Sequence, residues 1–170
     1  SSATTPSCLV PDACRPIVAL EALSDPDNVG SIFRSAAAFG AKGVLLSPTC
    51  TDPLYRKAIR TSMGATLQLP FLIDSEWPMG LTTIRERGAT LVGLSPDSPA
   101  IDLESFVADS KVGPMALLFG NEGAGLSREA LGCCDVCVRI ALAESVDSLN
   151  VATSAAIVLQ RFGPSPQEVS

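Results

Sequence analysis

Three stretches of this 170-residue chain carry polar side chains whose types and spacing could do chemistry. In the first, Asn28, Gly30 and Arg34 lead to Phe39 and Gly40. At 100° per residue, Arg34 falls about 140° from Val29, off the apolar stripe of Val29, Ile32, Phe33 and Ala36. It shares its face with Ser31, Ser35 and Ala38, so a lone long cation has room to reach an anionic ligand. A solvated surface arginine fits the same pattern, and Asn28 alone fits a helix N-cap. The second stretch is Gly120-Asn121-Glu122-Gly123-Ala124-Gly125, between an apolar run and Ser127. Glycines there let a ligand meet backbone N–H groups, as at many α/β sites. No lysine precedes Ser127, so this is not a Walker loop. An ordinary tight turn also uses glycines; the carboxylate of Glu122 is what points to a site. The third stretch, Ser148-Leu149-Asn150, opens a helix of apolar and small residues. Its N-terminal donors favour an oxygen-rich ligand, while plain capping by Asp147 or Ser148 explains it equally well on local grounds.

What the chain lacks narrows the chemistry further. It has no histidine, which removes Ser-His-Asp and Cys-His catalysis, HExxH zinc sites and imidazole acid–base chemistry. Six cysteines stand at 8, 14, 50, 133, 134 and 137. Cys134-x-x-Cys137 has no second pair at zinc-ligand spacing and runs into an apolar strand rather than opening a helix. Buried, reduced thiols and a reducing cytoplasm are therefore expected, with no metal. No apolar run approaches the ~18 residues of a membrane span. The net charge is −6, with 46% apolar and 18% charged residues and a mean hydropathy of +0.33, which fits one globular domain and excludes a disordered chain. A pI of about 4.6 argues against a generally basic nucleic-acid binder.

Strand and helix alternate in the segments that must position these groups. Strands are predicted over 17–20, 44–46, 67–73, 90–94, 115–119 and 136–142. Helices are predicted after the punctuation at Asp25-Pro26-Asp27-Asn28 to a stop at Gly40, over 54–62, over 76–87, from Ser127, and over 148–161. Residues 95–114 read as loop. This order predicts an α/β fold with a mostly parallel sheet flanked by helices. Residues 16–162 form one domain, 1–15 a flexible lead-in and 163–170 a tail. The chain opens on Ser1 rather than methionine, so processing or truncation is expected, and the lead-in reads as a linker remnant from an N-terminal substrate-binding domain.

Taken together and in order, the motifs resemble those of the SpoU (TrmH-type) branch of the SPOUT RNA methyltransferases. Asn28, Gly30, Arg34, Phe39 and Gly40 match that family's first segment. Gly120, Asn121, Glu122, Gly125 and Leu126 match its second; Ser148, Leu149, Asn150 and Val151 match its third. Arg60, Ser62, Gly64 and Ala65 match an intervening segment. One departure stands out: Ile140-Ala141-Leu142-Ala143-Glu144 replaces the usual I-P-M-x-G, so a proline and a glycine are lost and a carboxylate gained.

The resemblance implies S-adenosylmethionine as methyl donor, S-adenosylhomocysteine as product and a ribose 2′-hydroxyl of tRNA or rRNA as acceptor. It also implies a C-terminal trefoil knot and a homodimer whose active site draws on both subunits. By similarity, Leu118, Gly120, Asn121, Glu122, Gly125, Ile140, Leu142, Leu149 and Asn150 hold the cofactor. Arg34 assists the hydroxyl, and Asn28, Glu122, Ser148 and Asn150 shape the catalytic pocket. Arg56, Lys57 and Arg60, the densest basic cluster, are with Arg34 the candidate RNA contacts. A catalytically silent RNA-binding or assembly module of the same fold, and a methyltransferase for a non-RNA acceptor, are the alternatives; the absent P-loop lysine disfavours a nucleotide hydrolase. Charge is uneven: residues 1–60 carry six basic and five acidic side chains, residues 101–150 three and eight. An RNA-facing half and an acidic half reconcile −6 with an RNA partner.

Overall fold

The computed structural model describes residues 9–97, 99–109 and 113–163. Its strands are β1 (Ile17–Leu20), β2 (Gly43–Leu46), β3 (Phe71–Ile73), β4 (Thr90–Leu94), β5 (Ile101–Asp102), β6 (Met115–Phe119) and β7 (Val136–Arg139). The helices are α1 (Pro26–Ala38), α2 (Arg56–Thr61), α3 (Ala65–Gln68), α4 (Met79–Glu86), α5 (Leu103–Asp109), α6 (Arg128–Cys133) and α7 (Val151–Phe162). The strands form one sheet in the order β3-β2-β1-β6-β4-β7-β5. Every pairing in it is parallel, in line with the sequence pattern. Twice the chain returns to fill a slot between strands laid down earlier: β6 enters between β1 and β4, and β7 between β4 and β5.

Because successive side chains of a strand face opposite ways, the apolar runs supply two cores. Val18, Leu20, Val44, Leu46, Val92, Leu117 and Phe119 face α1, α3, α5 and α7. Ile17, Ala19, Leu45, Leu91, Ala116 and Leu118 face α4 and α6. Phe33, fully buried on α1, meets Phe71 of β3 edge-to-face at 5.8 Å. Burying such a side chain contributes about 1.5–3 kcal/mol. Among the described residues, no helix is long and apolar enough to cross a membrane.

Local chemistry sets the helix ends. Asp25 caps α1 by accepting from the Asp27 N–H at 2.9 Å, Pro26 opens the first turn, and Gly40 at φ 75° ends it as predicted. Ser127 caps α6 through the Ala130 N–H at 3.1 Å. Six segments differ from expectation. The 67–73 strand is a single helical turn, α3, followed by the three residues of β3. The helices expected over 54–62 and 76–87 shorten to α2 and α4. The 95–114 loop contains β5 and α5, hidden by Pro96, Pro99 and Pro114 and by a strand of only two residues. The last strand stops at Arg139, leaving 140–150 as connection, and the last helix starts at Val151.

At the N-terminus, Leu9 is buried in the second core, and Arg15 donates to the carbonyls of Gly40 and Ala41 at 3.1 and 3.0 Å. Leu9 and Arg15 thus touch the domain, while Val10, Ala13 and Cys14 between them are exposed. Pro6, Cys8 and the tail beyond Gly163 lie outside the described residues.

Candidate functional site

In a parallel sheet the C-terminal strand ends form one edge, where ligand sites gather at points of order reversal. Here β6, β4 and β7 lie side by side, and the loops that follow them enclose a cleft of about 360 Å³. One wall is the glycine loop, Gly120–Leu126; the opposite wall comes from Arg139, Ile140, Leu142 and Val146–Leu149. Leu94–Asp97 closes the floor beyond β4, and Val151 and Ser154 of α7 complete the lining.

The glycine loop is tightly folded. A Cβ on Gly120 would lie 2.4 Å from the Gly125 carbonyl carbon, so only glycine lets the loop double back there. The Gly125 N–H donates to the Asn121 carbonyl at 2.8 Å, with Gly125 at φ 68°. The Asn121 side chain works in both directions: its amide donates to the Ala22 carbonyl at 2.8 Å, and its oxygen accepts from the N–H groups of Gly123 and Ala124 at 2.8 and 3.1 Å.

Three residues distant in sequence meet beside this loop. Asn28, buried on α1, donates through Nδ2 to Oε1 of Glu122. Asn150 donates through its own Nδ2 to Asn28 Oδ1 at 3.0 Å and to Glu122 Oε1 at 3.1 Å. Asn150 Oδ1 meanwhile accepts from the N–H groups of Ala152 and Thr153, making this residue the α7 N-cap in place of Asp147 or Ser148. Glu122 Oε1 is therefore engaged twice, whereas Oε2 takes no hydrogen bond from any described residue.

The other candidates fall in different places. Gly120, Asn121, Glu122, Gly125, Ile140, Leu142, Ser148 and Leu149 line the cleft. Leu118 does not: its side chain is 1% exposed and packs in the second core. Arg34 is exposed on α1, six residues or about 9 Å along the axis from Asn28. It has no hydrogen bond or ion pair with any described residue. On α2, Arg56 and Arg60 are exposed one turn apart and unpaired among the described residues. Lys57, by contrast, pairs with Asp27 at 3.2 Å. Asp27 also accepts from Thr61 Oγ1 at 2.8 Å, and these two bonds, Thr61's first, hold its carboxyl below the ordinary carboxylate range.

Sequence reasoning did not find Leu94–Asp97, Arg139 or Val146 as cleft residues. The signal was topological, since the ends of β4 and β7 matter only once they flank β6. Arg139 is committed to Asp102 at 2.7 Å. The expected full burial of the cysteines is not met among the described residues: Cys14 is exposed, and Cys50, Cys133, Cys134 and Cys137 are half-buried. Burial, reinforced by neighbouring Cys137 and Cys133, pushes the Cys134 thiol up to about 12, and its Sγ lies 3.4 Å from the Ala130 carbonyl.

A parallel α/β sheet whose glycine loop and returning C-terminal segment share one cleft defines a ligand-binding α/β domain with an Asn-Glu-Asn cluster at its site. The chain belongs to the SpoU rRNA Methylase family, whose model matches residues 15–160. It is 43% identical over 143 residues to an uncharacterized tRNA/rRNA methyltransferase of Mycobacterium tuberculosis, covering 84% of this chain and 50% of that one. The AdoMet-bound rRNA methyltransferase from Sinorhizobium meliloti superposes with a TM-score of 0.82 at 31% identity, covering 94% of this chain and 59% of that one. A solved RNA 2′-O ribose methyltransferase gives 0.76 at 32% identity, over 89% and 56% of the two chains. The chain spans about half the length of the curated relatives it matches.

Proposed function

We propose that this domain transfers a methyl group from S-adenosylmethionine to a ribose 2′-hydroxyl of tRNA or rRNA. The observation that carries the reading is the union of Asn28, Glu122 and Asn150 beside a glycine-loop cleft. The lining suits the cofactor. Leu94, Leu126, Ile140, Leu142 and Leu149 offer apolar surface to a purine, and Asp97, Glu122 and Asp147 offer carboxylates to a cationic ligand. A volume of about 360 Å³ falls in the small-ligand range.

When bound, the cofactor supplies an electrophilic methyl group on a sulfonium sulfur. The chain's own residues must bring the hydroxyl to it and ease loss of its proton. A guanidinium stays protonated and cannot act as a base. Arg34 therefore holds an RNA phosphate and favours the alkoxide electrostatically, which needs no histidine. Glu122, fixed through Oε1, presents Oε2 to the cleft, and Asn28 and Asn150 hold it there. Ser148 offers a hydroxyl on the opposite wall. Near in-line placement of the reacting groups supplies the rest.

The reading includes the trefoil knot, a homodimer, a cytoplasmic location and no metal. A site shared between subunits accounts for an exposed Arg34 set apart from the cluster. Arg56 and Arg60 carry the RNA phosphate contacts, with Lys57 secondary because Asp27 engages it. Neutralising both arginines should reduce the slope of RNA affinity against salt by about 1–2. An unchanged slope rules this surface out.

The deciding experiment transfers labelled methyl from S-adenosylmethionine into total RNA and analyses the nucleosides. A 2′-O-methylated nucleoside is expected. Label on a base, or on protein or a small molecule, overturns the acceptor; calorimetry showing no cofactor binding returns the silent module.

A further inference from the structure

Glu21 has no part in the site as described, yet it is 6% exposed just beyond β1, among neutral partners. No described cation pairs with it. Its carboxylate instead accepts from three donors. Oε1 takes the Ser127 N–H at 2.6 Å; Oε2 takes the Ser127 hydroxyl at 2.8 Å and the Trp77 indole N–H. A buried carboxylate is costly unless its oxygens are satisfied, and here they are satisfied at one specific place. Ser127 directly follows the glycine loop and is the N-cap of α6. Its hydroxyl donates to Glu21 and accepts from the Ala130 N–H at 3.1 Å, so both of its roles are fixed.

The neighbouring backbone grips the loop's other end. The Glu21 N–H donates to the Phe119 carbonyl at 3.0 Å, extending the β1–β6 ladder toward Gly120. The Ala22 carbonyl accepts from the Asn121 side chain at 2.8 Å, and Ala22 takes φ 56°, a left-handed conformation that costs a non-glycine residue free energy. Two consecutive residues thus hold both ends of the 120–127 wall. Through Trp77, between β3 and α4, the same carboxylate ties that wall to the second core.

We infer that Glu21 is a positioning residue, whose buried carboxylate clamps Ser127 and Trp77 and thereby holds the glycine loop in its ligand-receiving shape. The consequence for S-adenosylmethionine rests on the reading of the cleft given above; the clamp itself does not. The test uses the 170-residue chain as wild type, Glu21→Gln, Ser127→Ala and Trp77→Phe. Amide hydrogen exchange is followed without ligand, and S-adenosylmethionine affinity is then measured by calorimetry. The glutamine keeps the shape but has one acceptor oxygen where the carboxylate has two, so in either orientation a donor faces the Ser127 N–H or the Trp77 indole.

In Glu21→Gln, exchange at Gly125 and Ser127 should accelerate at least about tenfold while Leu117 and Leu118 of β6 stay as in wild type. Cofactor affinity should fall about tenfold. Ser127→Ala should give a smaller loss because the Ser127 N–H still reaches Oε1. Trp77→Phe, which leaves the loop arm intact, should give the smallest. Unchanged loop exchange in Glu21→Gln, or equal acceleration in β6, overturns the clamp. Faster loop exchange with unaltered affinity overturns its role in binding. A wild-type chain that does not bind S-adenosylmethionine sinks the reading of the cleft, while the exchange data still decide the clamp.

Discussion

The two walls of the cleft are held in opposite ways. The 120–127 wall is tied at each end and across its middle, through Asn121 to Ala22, Gly125 to Asn121, and Ser127 to Glu21. The facing wall, 140–150, has one internal backbone bond, from the Val146 N–H to the Ala143 carbonyl at 3.0 Å. Residues 141–148 are all exposed, and the segment is anchored chiefly where Asn150 begins α7. One wall is built before a ligand arrives; the other has few contacts to lose on opening. The departure from the family pattern, Ala141 to Glu144, lies wholly in the second.

The largest expected effect comes from a residue outside both walls. Arg34→Ala should leave the circular dichroism spectrum and cofactor affinity unchanged and cost about 10²-fold or more in methyl transfer. Near-normal turnover would mean the walls alone perform the chemistry. Next, Gly120→Ala drives a Cβ into the Gly125 backbone and should destabilise the chain by about 1–3 kcal/mol in urea unfolding. A neutral result would show the first wall to be softer than its bonding suggests.

Asn150→Ala removes the anchor of the second wall and should cost about 1 kcal/mol. Its exchange signature should be faster amides over 141–149, already faster in wild type than those of 121–127; equal rates on the two walls would erase the contrast. The smallest effect concerns Cys134, which packs behind Leu126 and the first wall. Its ordinary value of 9.0 is raised to about 12, so the stability it contributes is present below pH 9 and lost as pH rises toward 12. At pH 8, alkylation should label exposed Cys14 and leave Cys134 unmodified.

Legibility in the sequence followed the range of the interactions. The body and end of α1 could be read because its apolar stripe and Gly40 stop are local, but its cap is Asp25 rather than Asn28. β6 and the loop after it were legible for the same reason. α3 was not, since one helical turn started by left-handed Gly64 carries no periodicity, and its Leu67 and Leu69 also suit a strand. Asn28, Glu122 and Asn150 could be chosen by resemblance, but their shared hydrogen bonds depend on α7 returning against α1. Glu21 had no local signal: an acidic residue after four apolar ones becomes a clamp only when β6 and β3 deliver Ser127 and Trp77. Which face of β6 the Leu118 side chain takes, that of the second core, is likewise set by packing that the local sequence does not carry.

Gly30 sets how α1 and α2 meet. A Cβ there would stand 2.7 Å from the Ala58 carbonyl oxygen and 2.9 Å from Thr61 Cβ, so α1 and α2 touch backbone to backbone. The Asp27 bonds to Thr61 and Lys57 lock the same contact from its end. Arg34 on one helix and Arg56 and Arg60 on the other therefore ride on a single rigid block. Only side-chain rotation can adjust the distances between their charges, so in the RNA-binding role proposed above this surface would offer successive phosphates a fixed template, to which a strand of different rise would have to bend.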